Sequence, residues 1–161
     1  MSDICTIKTG KKDVNEGNPK GAYPFFTCAK KPTYCDSYSF DCEAILIAGN
    51  GEVGHCQKYS GKFEAYQRTY VLSNFMCNSD YLFAFLNSFF QIYVNSKKQT
   101  GAMPYIKLGM LENYTIPILS LLEQQKIANF LNSIDKFIEL KEKEIVKAEE
   151  WKVGLTQKLF I

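Results

Sequence analysis

The chain has 161 residues, 46% of them hydrophobic, and a formal net charge of +2, enough for one packed core and too little for two independent ones. No apolar run approaches the ~18 residues of a bilayer span, and Met1-Ser2-Asp3 lacks the charged-then-apolar order of an export signal, so a soluble cytoplasmic protein is expected. The strongly basic balance of many nucleic-acid binders is absent, and the small surplus is local: residues 1–115 hold 12 Lys and Arg against 10 Asp and Glu, whereas residues 116–161 hold seven of each.

In chain order, the first part is rich in Gly, aromatic residues and short β-prone runs, residues 23–28, 44–48 and 66–72, separated by polar turns. Residues 80–95 interrupt it with a helical pattern after a cap at Ser79, where Leu82, Phe83, Phe85, Leu86, Phe89, Phe90 and Tyr93 make a wide apolar stripe suited to core packing. Tyr23, Phe25, Phe26, Tyr34 and Tyr38 also read first as packing residues. The cysteines, Cys5, Cys28, Cys35, Cys42, Cys56 and Cys77, lie far apart, form no C-x-x-C pair and have only His55 as an imidazole companion, so small buried thiols are expected and a zinc site is not.

After Pro117 the texture changes. Ser120-Leu121-Leu122-Glu123 has the S-x-x-E form in which serine and glutamate satisfy the free amides of a helix start. With no proline beyond it and no glycine before Gly154, a helix can run over residues 123–160, about 57 Å at ~1.5 Å per residue. Ile127, Leu131, Ile134, Ile138, Ile145, Ala148 and Leu155 recur at alternating gaps of four and three, the spacing of helices packed along their length, with Lys141 interrupting. Lys136, Glu139, Glu142, Lys143, Glu144, Lys147 and Glu149 read as a solvated face. A lone helix of this length with its stripe exposed needs a partner helix; the other reading is a long helix folded back on its own domain. The expected fold class is α+β: a β-rich globular head containing a helix, residues 1–118, then a long C-terminal coiled-coil helix, residues 119–161.

Gly49-Asn50-Gly51-Glu52-Val53-Gly54 matches G-x-G-x-x-G after a good strand. A dinucleotide site needs a helix next, its amides facing the pyrophosphate, and an acidic residue about 20 positions on. Residues 55–61 instead read as a strand and turn, and no Asp or Glu occurs over residues 65–79. The glycines are therefore expected to form a tight turn between strands.

Several pieces then occur in a telling order: Ile45-Leu46-Ile47-Ala48-Gly49-Asn50-Gly51-Glu52-Val53-Gly54, Gln67-Arg68-Thr69-Tyr70-Val71-Leu72, Thr100-Gly101-Ala102-Met103-Pro104, and Ile116-Pro117 leading to Glu123-Gln124-Gln125-Lys126-Ile127-Ala128. With Leu131 to Asp135 and the ending Leu155 to Phe160, they resemble one half of a specificity subunit of a type I restriction-modification system, over nearly the whole chain. The resemblance implies that the head is a target-recognition domain for half of a bipartite DNA sequence. It also implies that the helix is a fixed-length spacer and a dock for methyltransferase subunits, with a restriction subunit as a further partner. Family members usually carry two such halves in one chain, and only one is present here. The simplest arrangement is then a homodimer with antiparallel helices, reading double-stranded DNA at an inverted repeat with an unread gap; pairing with a different half-subunit is the other possibility.

No cofactor of its own is expected, because S-adenosylmethionine would bind the partner methyltransferase. Catalysis is not expected either. The one Asn-Pro pair continues with Lys20 rather than a second proline, Glu139-Leu140-Lys141 lies on the long helix without an acidic strand, and every triad would have to converge on His55. DNA contacts call for Lys and Arg at phosphates and Arg, Lys, Gln or Asn at base edges. The candidates in polar loops are Lys11, Lys12, Lys30, Lys31, Lys58, Lys62, Arg68, Lys97, Lys98, Gln99 and Thr100. Two readings compete with this one: a coiled-coil adaptor whose head binds protein, and an enzyme built on the glycine turn.

Overall fold

The computed structural model describes residues 1–97 and 105–160. Within them the β-prone runs form strands β1 (Thr6–Thr9), β2 (Tyr23–Phe26), β3 (Thr33–Cys35), β4 (Phe40–Ala48), β5 (Cys56–Ala65) and β6 (Thr69–Ser73). The helices are α1 (Ser79–Ser96), α2 (Leu108–Glu112) and α3 (Leu121–Leu159). The α+β class read from the sequence is therefore the class observed, with α3 as the long C-terminal helix. β1, β3 and α2 have no counterpart among the elements expected from the sequence, and β4 and β5 are longer than the runs that announced them.

The strands form one sheet in the order β1-β6-β4-β5-β2-β3. Neighbours are antiparallel except β2 and β5, which are parallel. The registers force the sheet to curl. Phe63 pairs with Phe40 at one end of β4, and Thr69 pairs with Ala48 at the other. A flat β4 would separate those ends by about 26 Å, yet the chain from Phe63 to Thr69 reaches at most about 21 Å. β4 therefore bends and β5, paired along it, bends with it; Gly61, at a φ of +125° that only glycine adopts freely, sits within β5.

Each face of the curled sheet has its own core. On one, Ile45, Ile47, Tyr70 and Leu72 meet Leu82, Leu86, Phe90 and Val94 of α1, together with Leu111 and Tyr114. On the other, Phe26, Ala44, Leu46, Phe63, Ala65 and Val71 pack with Phe40 and Tyr59, and Phe40 stacks on Phe63 at 5.1 Å. A fully buried Phe or Leu contributes about 1.5–3 kcal/mol by leaving water, so these two layers hold the head together. The cysteines are all unbridged, and Cys5, Cys35, Cys56 and Cys77 are buried.

The cap of α1 lies one residue earlier than expected. The side chain of Asn78 accepts from the Tyr81 N–H, whereas Ser79 turns to Glu43 and Lys58. The start of α3 forms the capping box read from the sequence: Ser120 accepts from the Glu123 N–H, and the Glu123 carboxylate accepts from the Ser120 N–H. The Ser120 hydroxyl, which donates to the Glu123 carboxylate at 2.6 Å, and then the Ser120 N–H hold that carboxyl below the usual carboxylate range.

Candidate nucleic-acid interface

Loops from distant parts of the chain converge at the end of the sheet where β4 turns into β5. The Gly49 N–H donates to the Arg68 carbonyl at 2.9 Å, the Glu52 N–H to the Cys28 carbonyl at 3.1 Å, and the Ile106 N–H to the Gly49 carbonyl at 2.8 Å. The Gln67 N–H donates to the Lys12 carbonyl at 3.0 Å, and the Tyr70 hydroxyl donates to the Ile106 carbonyl at 2.9 Å. Gly49 permits this approach: a Cβ there would stand 2.4 Å from the Arg68 carbonyl oxygen. The segment 49–54 is thus a turn between two strands, with β5 following where a dinucleotide site would need a helix.

This end carries Lys11, Lys30, Lys31 and Arg68, all exposed. Lys30 lies 3.9 Å from Glu52, a surface pair of small worth, and among the described residues no carboxylate forms a salt bridge with Arg68. Lys12 is half-buried and donates to the Ser37 hydroxyl at 2.8 Å. The C-terminal part of α1 packs against the same turn, since a Cβ on Gly54 would meet Gln91 and Val94. Lys97, the C-cap of α1, lies over the Tyr93 ring at 5.8 Å. Lys98, Gln99 and Thr100 fall outside the described residues. Sequence reasoning missed Tyr105 and Lys107, exposed neighbours of Ile106 with the Lys107 ammonium 5.6 Å from the Tyr105 ring. A single lysine outside any periodic segment gives no local signal; the bonds of the Ile106 backbone to Gly49 and Tyr70 bring it to this end.

Two candidates lie elsewhere. Lys58 donates to Glu43 at 2.9 Å, to Ser79 at 2.9 Å and to Asp80, at the N-terminal end of α1. Burial lowers its pKa, but bonds to Asp80 and Glu43 outweigh that, and it ends above the ordinary lysine value. The Ser79 hydroxyl and Lys58 hold the Glu43 carboxyl down. Lys62 is exposed and lies 4.7 Å from the centroid of the Tyr38 ring. Of the five aromatics, Phe25 and Phe26 are buried, whereas Tyr34 and Tyr38 are exposed.

At the other end of α1, the chain turns into α3. Of the α3 positions expected to pair, Ile127, Ile134, Ile138, Ile145 and Leu155 are 37–58% exposed in the single chain, Leu131 is half-buried and Ala148 is exposed. Phe130, Phe137 and Trp151 extend this apolar stripe on one flank and are still more exposed. The charged face carries Lys143 on Glu139 at 2.6 Å and Lys141 on Glu144 at 2.8 Å.

Comparison with known proteins bears on this arrangement. Residues 1–150 match the family model described as type I restriction modification DNA specificity domain. The chain is 36% identical over 139 residues to the type I restriction enzyme EcoDI specificity subunit of Escherichia coli, covering 83% of this chain and 30% of that protein. Its fold is similar to the crystal structure of a type I restriction-modification S subunit from M. genitalium, with a TM-score of 0.72, 21% identity, and coverage of 85% of this chain and 38% of that one. It is also similar to a chain from a structure of type I restriction-modification complex assembly and conformational transition, with a TM-score of 0.69, 18% identity, and coverage of 92% and 40%. The chain spans between about three tenths and two fifths of the length of these proteins.

Proposed function

The chain belongs to the family of type I restriction-modification DNA specificity domains, and from that premise we propose that it reads one half of a bipartite duplex target and catalyses nothing itself. Residues 1–118 are the reading head and residues 119–161 the spacer. The observation that carries this is the placement of the two features at opposite ends of α1. Exposed Lys11, Lys30, Lys31, Arg68 and Lys107 gather on loops at one end, and the uncovered apolar stripe of α3 leaves from the other.

Each part has its physical role. Lysine and arginine on converging loops bind phosphates, with a strength that falls as salt is added. Arg68 is the candidate for bidentate reading of a guanine edge. The stripe of α3 pairs with the same stripe of a second copy, antiparallel, so that two heads stand at a set separation, and the wider flank at Phe130, Phe137 and Trp151 meets methyltransferase subunits. The methyl donor and the restriction activity belong to those partners. The relative whose structure concerns type I complex assembly supports the docking part of this reading.

The test is co-purification with candidate methyltransferase subunits followed by mapping of methylated sites, then duplex binding to the mapped target across salt concentrations. Replacing Lys30, Lys31 and Arg68 by Ala lowers affinity, and reduces the slope of log affinity against log salt by about 0.9 for each phosphate that is no longer neutralised. An unchanged slope would remove these residues from the interface. Protein capture without duplex binding would favour the adaptor reading.

A further inference from the structure

Along α3 the buried residues are Gln124 and Ala128, and Gln124, only 1% exposed, is a polar side chain where an apolar one would pack. Both ends of its amide are used. Oε1 accepts from the Asn78 backbone N–H at 2.8 Å, and Nε2 donates to the Leu119 carbonyl at 2.8 Å. Asn78, the cap of α1, also donates from its side chain to Gln125 at 2.9 Å. One turn of α1 is tied to the segment entering α3 as well, because the Tyr81 hydroxyl donates to the Pro117 carbonyl at 2.8 Å. Further along α3, Asn132 reaches Asp80, itself held by Lys58 from the sheet.

Apolar contact between two helices is non-directional and lets them slide or rotate. A buried amide oxygen that accepts from the cap of α1, on a side chain held from its other end by Leu119 at the entry to α3, does not, because rotation leaves that oxygen and the Asn78 N–H desolvated and without a mate. We propose that Gln124 is a positioning residue for target recognition: it fixes the direction in which α3 leaves the head and thereby the gap between half-sites that paired heads accept. This rests on the reading that two heads joined through α3 each read a half-site. Lys58, with Glu43 and Asp80, buttresses the same joint from the sheet side.

The experiment uses the full chain with Gln124→Met, which keeps side-chain length and removes both hydrogen bonds. Duplexes are drawn from the mapped target, one set holding a single half-site and another in which the gap between half-sites changes one base pair at a time. Half-site affinity stays within about twofold, as for a change remote from the DNA-facing surface. Preference for the best gap over its neighbours falls about fivefold, the equivalent of one missing hydrogen bond. A second measurement needs no DNA: non-cysteine labels at exposed Lys20 and Lys147, diluted in unlabelled chain, report the distribution of distances between head and helix within one protomer. That distribution broadens in Gln124→Met. An unchanged gap profile or an unchanged distance distribution would overturn the positioning role while leaving the half-site reading intact. Failure of the unaltered chain to bind the mapped half-site would overturn that reading, and the gap-setting role with it.

Discussion

In the head, apolar side chains close on one another from two faces of a curled sheet, and no buried side-chain N or O atom among the described residues lacks a hydrogen-bond partner. In α3 the same kinds of side chain point outward: phenylalanine, tryptophan, isoleucine and leucine line a 39-residue helix that buries only Gln124 and Ala128 against its own head. Local bonds serve α3 well, through a capping box and intrahelical ion pairs, but such pairs contribute about 0.2–0.5 kcal/mol each and cannot offset so much exposed apolar surface. The contrast teaches where each region obtains its stability. The head holds itself together, whereas α3 leaves its apolar stripe uncovered in the single chain.

The sharpest way to break that contrast is in the core. Phe90→Ala empties a fully buried site beneath α1 and costs about 3–5 kcal/mol; denaturant unfolding followed by circular dichroism should show the midpoint move accordingly. Ile134→Glu tests the other region. It places a charge in the proposed helix pairing and weakens association by about 2–3 kcal/mol, seen as a dimer becoming monomer in sedimentation while the head, within the full chain, keeps its folded near-ultraviolet circular dichroism. An unchanged mass would remove the pairing.

Smaller changes sharpen the comparison. Gly154 lies inside α3, where an added Cβ meets nothing within 4 Å, so Gly154→Ala should stabilise the helix by about 0.8–1 kcal/mol, read as a gain in melting temperature. In the head, Glu43→Gln removes an exposed carboxylate from Lys58 and should cost about 0.2–1 kcal/mol near neutral pH. Its pKa is lowered by folding, so its contribution is complete above the unfolded value near ~4.3 and disappears as pH falls through the lower folded value. The Gln variant should therefore converge with the unaltered chain in acid. The smallest effect is one of rate: burial raises Cys56 to about 12 and Cys5 to about 11, and since the thiolate is the nucleophile, alkylation should reach half-buried Cys28 and Cys42 first, as mass spectrometry of labelled peptides would show.

Elements that carry their own pattern are legible without the structure. The apolar stripe of α1, the capping box at Ser120 and the glycine turn after β4 each rest on neighbours within a few residues. β1, β3 and α2 are three to five residues long, too short for a period to declare itself, and their packing partners are distant in the chain. The same division runs through the sites. Lys58 looks like any surface lysine until β4 and the start of α1 bring Glu43 and Asp80 to it, and Gln124 looks like a solvent-facing residue of a helix until the cap of α1 covers it. Lys107 reaches the loop end only through the Ile106 backbone. What stays hidden in each case is a meeting of two elements, which local spacing does not encode.

The length of α1 gives the joint at Gln124 a mechanical meaning. α3 is fastened near the first turn of α1 and the cationic loops gather near its last, so the 18 residues between them act as a lever arm of about 27 Å. A tilt of about 10° at the fulcrum sweeps the far loops through nearly 5 Å, more than the ~3.4 Å rise from one base to the next along a strand. On the proposed reading, in which paired heads span a gap in the duplex, such a lever needs a stiff pivot.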